Sequence, residues 1–214
     1  MMLANALLYS DLLNPQEIIR IGGLILLVVI IFAETGLFFG FFLPGDSLLF
    51  TAGLLCGSKF LDVRLELLIG YLIVAAIAGT TTGYGIGRWA EDYLRNKKEN
   101  LFYKKRYLEM TKAFYDKHGM MAFILGRFLP IVRTFVPILA GMVRIDFKKF
   151  WIYNLIGAII WVSSVVMAGH WLGNIFPTLV DHLEIIIIGM GLLSVIPIII
   201  SFRKNSSLFK RSSK

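Results

Sequence analysis

The sequence is short of charge, nearly without cysteine and poor in proline, and these shortages exclude whole classes of protein. Of 214 residues only 17% are charged, against 57% hydrophobic. An ordinary soluble domain has about a quarter of its residues charged, so this chain cannot furnish a normal water-facing surface. The single Cys56 excludes an internal disulfide framework and any metal site built on several thiolates. His118, His170 and His182 stand far apart, without metal-ligand spacing, and no metal is expected. There is no glycine-rich phosphate loop, no H-E-x-x-H and no G-x-S-x-G, so neither an enzyme, a catalytic residue nor a cofactor is expected. A basic n-region is also missing at the start. The apolar run Ile21–Phe32 leads into Glu34 rather than a small-residue cleavage site, so this run reads as retained rather than as a cleaved signal peptide.

What the chain does have is long apolar runs. Ile18–Leu43 is nearly all apolar, interrupted by Glu34 and ending at Pro44-Gly45-Asp46. Ser47–Gly57 continues apolar, Lys59–Glu66 is a polar break, and Leu67–Gly87 is long enough to cross a membrane at about 1.5 Å per residue. Arg88–Lys117 is the one long polar segment. Within it Leu101, Tyr107, Leu108, Met110 and Phe114 recur at roughly helical spacing, which predicts an amphipathic helix along the membrane surface. Met120–Val143 is apolar but carries Arg127, Pro130, Arg133 and Pro137, whereas Phe147–Phe176 and Ile185–Phe202 read as plain spans. Residues 203–214 form a basic tail, leaving a single membrane domain over 1–202.

A net charge of +8 points to anionic lipid head groups rather than nucleic acid, because the basic residues gather where the apolar runs end. Arg88–Lys117 holds nine Lys and Arg, Arg144–Lys149 three and Arg203–Lys214 five, whereas 174–184 has none. The positive-inside rule then puts the first three stretches and the C-terminus in the cytoplasm and 174–184 outside, in a multi-pass membrane protein. Met120–Val143 starts and ends on the same side, so it must dip in and return.

An internal repeat agrees with this. A shift of 86 residues aligns Gly40, Phe42, Leu43 and Pro44 with Gly126, Phe128, Leu129 and Pro130, and Gly83 and Gly87 with Gly169 and Gly173. Ala52-Gly53 matches Ala140-Gly141 after a two-residue slip. The topology makes the halves inverted. The expected fold is therefore all-α, with two inverted repeats near 33–88 and 119–174, each a re-entrant helical hairpin followed by a transmembrane helix. A surface segment at 89–118 lies between them, and a further C-terminal transmembrane helix follows. The G-x-x-x-G spacings at Gly36–Gly40, Gly53–Gly57, Gly83–Gly87 and Gly169–Gly173 read as close helix packing.

The chemistry concentrates in the broken segments. Charges at membrane depth cost about 2.5–3.5 kcal/mol each on insertion scales and are rarely idle. Arg127 and Arg133 are the expected substrate-binding residues, since a guanidinium fork matches a phosphate and stays protonated. Glu34 and Asp46 are the expected proton-coupling residues. Plain salt bridging to the arginines, or helix capping by Asp46, would be a structural alternative. Pro44, Gly45, Pro130 and Pro137 are expected to break the hairpins.

Glu34, then Phe41-Phe42-Leu43-Pro44-Gly45-Asp46, then Gly126-Arg127-Phe128-Leu129-Pro130-x-x-Arg133-Thr134, Pro137 and Ala140-Gly141 resemble the DedA family of SNARE-associated, or VTT-domain, membrane proteins. Tyr153-Asn154, Gly157-Ala158 and Trp161 fit the same pattern, and the resemblance covers about residues 20–175. It implies a bacterial inner-membrane protein with two facing re-entrant hairpins. It also implies a proton-motive-force-dependent transporter or flippase for a lipid phosphate, either undecaprenyl phosphate or a phospholipid. In that family acids matching Glu34 and Asp46 and arginines matching Arg127 and Arg133 are functionally important. Many relatives have a second proline in the first motif where this chain has Phe42-Leu43 before a lone Pro44, which leaves the lipid open. The expected partners are the lipid phosphate and membrane lipids, with a homo-oligomer left open. Two rivals stand beside this reading: a proton-coupled exporter of small cations using Glu34 and Asp46, and a non-transporting membrane scaffold acting through Arg88–Lys117.

Overall fold

A computed structural model describes residues 15–95, 115, 119, 121 and 123–176. Over these residues the chain is helical: α1 (Pro15–Gly36), a 3-10 turn (Gly40–Phe42), α2 (Gly45–Leu55), α3 (Leu65–Arg95), α4 (Pro130–Met142) and α5 (Phe147–Ile175). Isolated bridges at Cys56, Ser58 and Leu61 are the only extended pairing among the described residues. Most of the expected surface segment, the C-terminal span and the basic tail lie outside the described residues.

Among the described residues three helices are long and apolar enough to cross a membrane: Ile18–Gly36, Leu65–Tyr93 and Phe147–Ile175. Their exposed faces carry the wrong residues for water. Ile21, Ile25 and Val29 of α1, Leu67, Tyr71 and Val74 of α3, and Ile159, Ile160 and Met167 of α5 all point outward. Such an apolar exterior suits contact with lipid chains. α1 is broken at Gly23, whose φ of 53° and ψ of −144° exclude ordinary L side chains. α3 runs unbroken through Arg88 to Arg95, so the start of the segment expected on the surface continues a spanning helix instead.

The remaining helices are short. α2 has 11 residues, about 16 Å at a rise of 1.5 Å, and α4 has 13, about 20 Å. Neither reaches across a hydrocarbon core of about 30 Å. Local chemistry explains where they begin. Leu43 and Leu129 are both extended (ψ 143° and 110°), as the ring of a following proline requires. Pro130 then opens α4, where its missing N–H costs nothing. Pro137 lies inside α4, which runs on to Met142, so it does not end that helix. Ten of the eleven residues of α2 are buried, Asp46 being the exception. An apolar helix buried all round is an interior element.

α2 packs along α5, and α4 along α3, through glycine. A side chain at Gly53 would strike the Val166 carbonyl, and one at Gly169 the Phe50 carbonyl. Across the other pair, Gly87 faces the backbone of Ile138, and Gly141 that of Tyr84. These contacts bring main chains together with little between them, as small-residue interfaces do in membranes.

Candidate functional site

The short helices and the end of α1 meet around Arg133 on α4. Its guanidinium pairs with Glu34 through Nη2 and with Asp46 through Nη1, the latter at 2.8 Å. Nη1 also donates to the Arg127 carbonyl at 3.2 Å. The planar cation lies over Trp161, with its central carbon 4.3 Å from the ring centroid. Trp161 completes the assembly by donating its indole N–H to Asp46 at 2.9 Å. Thr134, the next residue of α4, donates to the Glu34 carbonyl at 3.2 Å. Glu34 and Arg133 are each 1% exposed at the side chain, whereas Asp46 is 20% exposed. One arginine therefore neutralises two acids, one of them fully sealed.

Each partner is delivered by a local feature. Glu34 sits near the end of α1, where Thr35 donates its hydroxyl back to the Ile31 carbonyl at 2.8 Å. Gly40 then lies against the Ala33–Glu34 backbone, turning the chain toward Pro44. Asp46 stands in the first turn of α2 but makes no side-chain cap, because its carboxylate is engaged by Arg133 and Trp161. Gly45 is needed for contact rather than for torsion. Any Cβ there would occupy the volume of the Glu34 carboxylate. Gly45→Ala should therefore expel Glu34 from Arg133 and lower stability by about 1–3 kcal/mol. Thermal unfolding in detergent will show this, and Glu34→Ala added to the same chain should restore part of the loss by vacating the space. An unchanged midpoint in the single variant would remove Gly45 from the site.

Arg127 is placed differently. It is buried in the turn before α4, yet no acid pairs with it among the described residues. Its Nη2 donates to Thr80 at 3.3 Å, to the Asn154 carbonyl at 3.3 Å and to the Asn154 side-chain oxygen. Nε and Nη1 find no partner among the described residues, and the same holds for Arg133 Nε and Glu34 Oε2. Gly157 gives Arg127 its room, since a Cβ there would stand 2.8 Å from Nε. The salt-bridging alternative is met at Arg133 and not at Arg127. Both acids go to Arg133.

The four ionisable residues singled out from sequence thus converge, with Pro44, Gly45 and Pro130 at the helix starts beside them. Thr80, Thr134, Asn154, Gly157 and Trp161 were missed as site residues. Asn154, Gly157, Ala158 and Trp161 follow the i, i+3, i+4, i+7 spacing of one helix face. A small-and-polar stripe on an otherwise apolar span was the available signal. Among the described residues no group of His, Cys, Asp and Glu could hold a metal ion.

Spanning helices, two short apolar helices and a sealed ionic cluster define a polytopic α-helical membrane protein with charge held in its interior. The VTT domain family matches residues 43–171. Protein DedA of Escherichia coli K12 is 39% identical over 189 residues, covering 88% of this chain and 86% of that protein. An uncharacterised membrane protein of Mycobacterium leprae is 38% identical over 189 residues, with 88% and 83% covered. Inner membrane protein YghB of E. coli K12 is 34% identical over 145 residues, with 68% and 65% covered. The chain belongs to the DedA family of VTT-domain membrane proteins. No solved structure matches it.

Proposed function

We propose that this chain is a transporter, not an enzyme, that moves a lipid phosphate across the cytoplasmic membrane, with Arg127 and Arg133 as the groups that hold the head group. The observation that carries this reading is the asymmetry of the two buried guanidiniums. Arg133 has two acids; Arg127 has none among the described residues and keeps two nitrogens without partners. An uncompensated buried cation is costly, and an anion bearing several oxygens is what such a group would bind. A phosphate arriving at Arg127 would compete with Glu34 and Asp46 for Arg133. Protons taken up by the released carboxylates would couple movement to the proton-motive force. The lipid tail would stay in the bilayer. Undecaprenyl phosphate and a phospholipid both meet this description.

The geometry also supports reading α2 and α4 as arms of opposed re-entrant hairpins in inverted repeats, and the basic residues of 203–214 favour a C-terminus inside. Both helices are too short to cross, and both start at an extended leucine followed by a proline, with α2 beginning after Pro44 and α4 at Pro130. Related glycines make related contacts: Gly53 meets α5, and Gly141 meets α3. Broken elements facing one another at mid-depth are the transporter arrangement. An exporter that binds cations through Glu34 and Asp46 is less well supported, because Arg133 already occupies both acids.

Purified full-length protein in liposomes gives the test. A fluorescent short-chain prenyl phosphate should equilibrate between leaflets faster than in empty liposomes, and faster still under an imposed proton gradient. A small lipophilic cation should not. Movement of the cation alone, or of neither probe, would refute the proposal.

A further inference from the structure

A second cavity adjoins the site. It has a volume of about 270 Å³ and is lined by Phe123, Arg144, Asp146, Lys149 and Tyr153, among others. Arg127 and Arg133, together with Thr80, Val136 and Pro137, line an inner cavity of only about 10 Å³, room for roughly one water. Phe123 lines both. Its ring is buried and held by other rings, with centroids 5.5 Å from Tyr115, 5.6 Å from Phe150 and 6.0 Å from Tyr153. These are ordinary edge and tilted contacts of about 0.5–1.5 kcal/mol each, so the ring is seated but not locked.

We propose that Phe123 is a door between a basic vestibule and the arginine chamber, and that a phosphate-bearing anion meets Lys149 before passing Phe123 to reach Arg127. The inference rests on Arg127 as the anion-holding group. Charge decides which vestibule residue meets the anion. Arg144 is committed to Glu91 at 2.6 Å and to Asp92. Asp146 is committed to the Lys149 backbone N–H at 3.0 Å. The Lys149 side chain is exposed and makes no ion pair among the described residues, so its ammonium is the available cation. The vestibule lies just below the 300–1,000 Å³ range typical of small-molecule sites, a size suited to a head group and not to a long tail. In the closed arrangement the inner cavity is too small for a phosphate, so admission requires the Phe123 ring to move.

Cysteine labelling tests this directly. In a full-length Cys56→Ser background, Val136→Cys places a thiol in the inner cavity and Ile145→Cys one in the vestibule. A small anionic methanethiosulfonate reagent is then applied to detergent-purified protein. Phe123→Ala should accelerate labelling of the inner thiol about tenfold or more, equivalent to about 1.4 kcal/mol of opening free energy, and leave the vestibule thiol unchanged. Phe123→Leu, a milder change, should give a smaller acceleration in the same direction and covers the case in which the alanine variant does not fold. An inner rate indifferent to both substitutions overturns the door.

Phosphate protection separates this from the reading beneath it. Slowing of inner labelling by decyl phosphate alone assigns the route to a lipid head group, and equal slowing by inorganic phosphate assigns it to the phosphate group itself. Either supports the route, and Lys149→Gln should weaken protection of the vestibule thiol. Undiminished protection in that variant removes Lys149 from the route. Gated labelling that neither phosphate slows would leave Phe123 as a partition and remove Arg127 as the anion site.

Discussion

Arg133→Met should destabilise the protein by about 3–5 kcal/mol, the usual consequence of stripping a buried charge of its partner. The substitution fills similar volume, so a cavity is not the cause. Glu34 would be left as a sealed carboxylate with no cation, and Asp46 would keep only the Trp161 N–H. Adding Glu34→Gln and Asp46→Asn should recover much of the loss, because neutral amides need no counter-ion. Arg133→Lys should fall between. One ammonium can reach one acid, but it lacks the fork that serves both, and it stacks less well over Trp161. Unfolding in mixed detergent micelles measures all of these. A single Arg133→Met variant within about 1 kcal/mol of the parent would mean that the cluster does not hold the helices together.

Arg127→Met should do the opposite to stability while abolishing function. Removing a buried cation that has no acid relieves its desolvation, so stability should stay within about 1 kcal/mol of the parent or rise. The bonds to Thr80 and Asn154 are lost, at about 1.5–3 kcal/mol each for a charged donor, which offsets much of that relief. Binding of a lipid phosphate should weaken by about 2–5 kcal/mol, at least thirtyfold in Kd. Transport in liposomes should fall with it. The pair of substitutions is the informative comparison: both arginines needed for movement, only one needed for folding. Normal transport by a well-folded Arg127→Met protein would shift the anion site away from Arg127.

Much of the architecture could be read from the chain because insertion into lipid writes itself as long apolar runs and as rare charges within them. Leu67–Gly87 and Phe147–Phe176 needed only length and composition. Glu34, Asp46, Arg127 and Arg133 stood out because such residues are expensive in apolar stretches. Pairing was not legible. Spacing along the chain does not say whether Asp46 reaches Arg127 or Arg133, because that depends on how α2 lies against α4 and α5. In the sequence Trp161 stands out only through the family resemblance, since an indole in an apolar span normally packs, and only its distance to Asp46 reveals the hydrogen bond. The boundary at Gly87 was missed for a related reason. Charge begins at Arg88, but helix hydrogen bonding does not stop where hydrophobicity does, and α3 continues to Arg95.

The glycine contacts have a mechanical consequence. With α2 fitted to α5 and α4 to α3, the pieces able to shift as rigid bodies are not the N- and C-terminal halves but two composites, each drawn from both. Asp46 and Trp161 travel on one composite and Arg133 on the other, so the bonds around Arg133 form a seam between them. Loosening that guanidinium would open one part of the seam, while the Asn154 bonds to Arg127 and to the Ile77 carbonyl, and the Tyr84 ring stacked on Phe150, hold the rest.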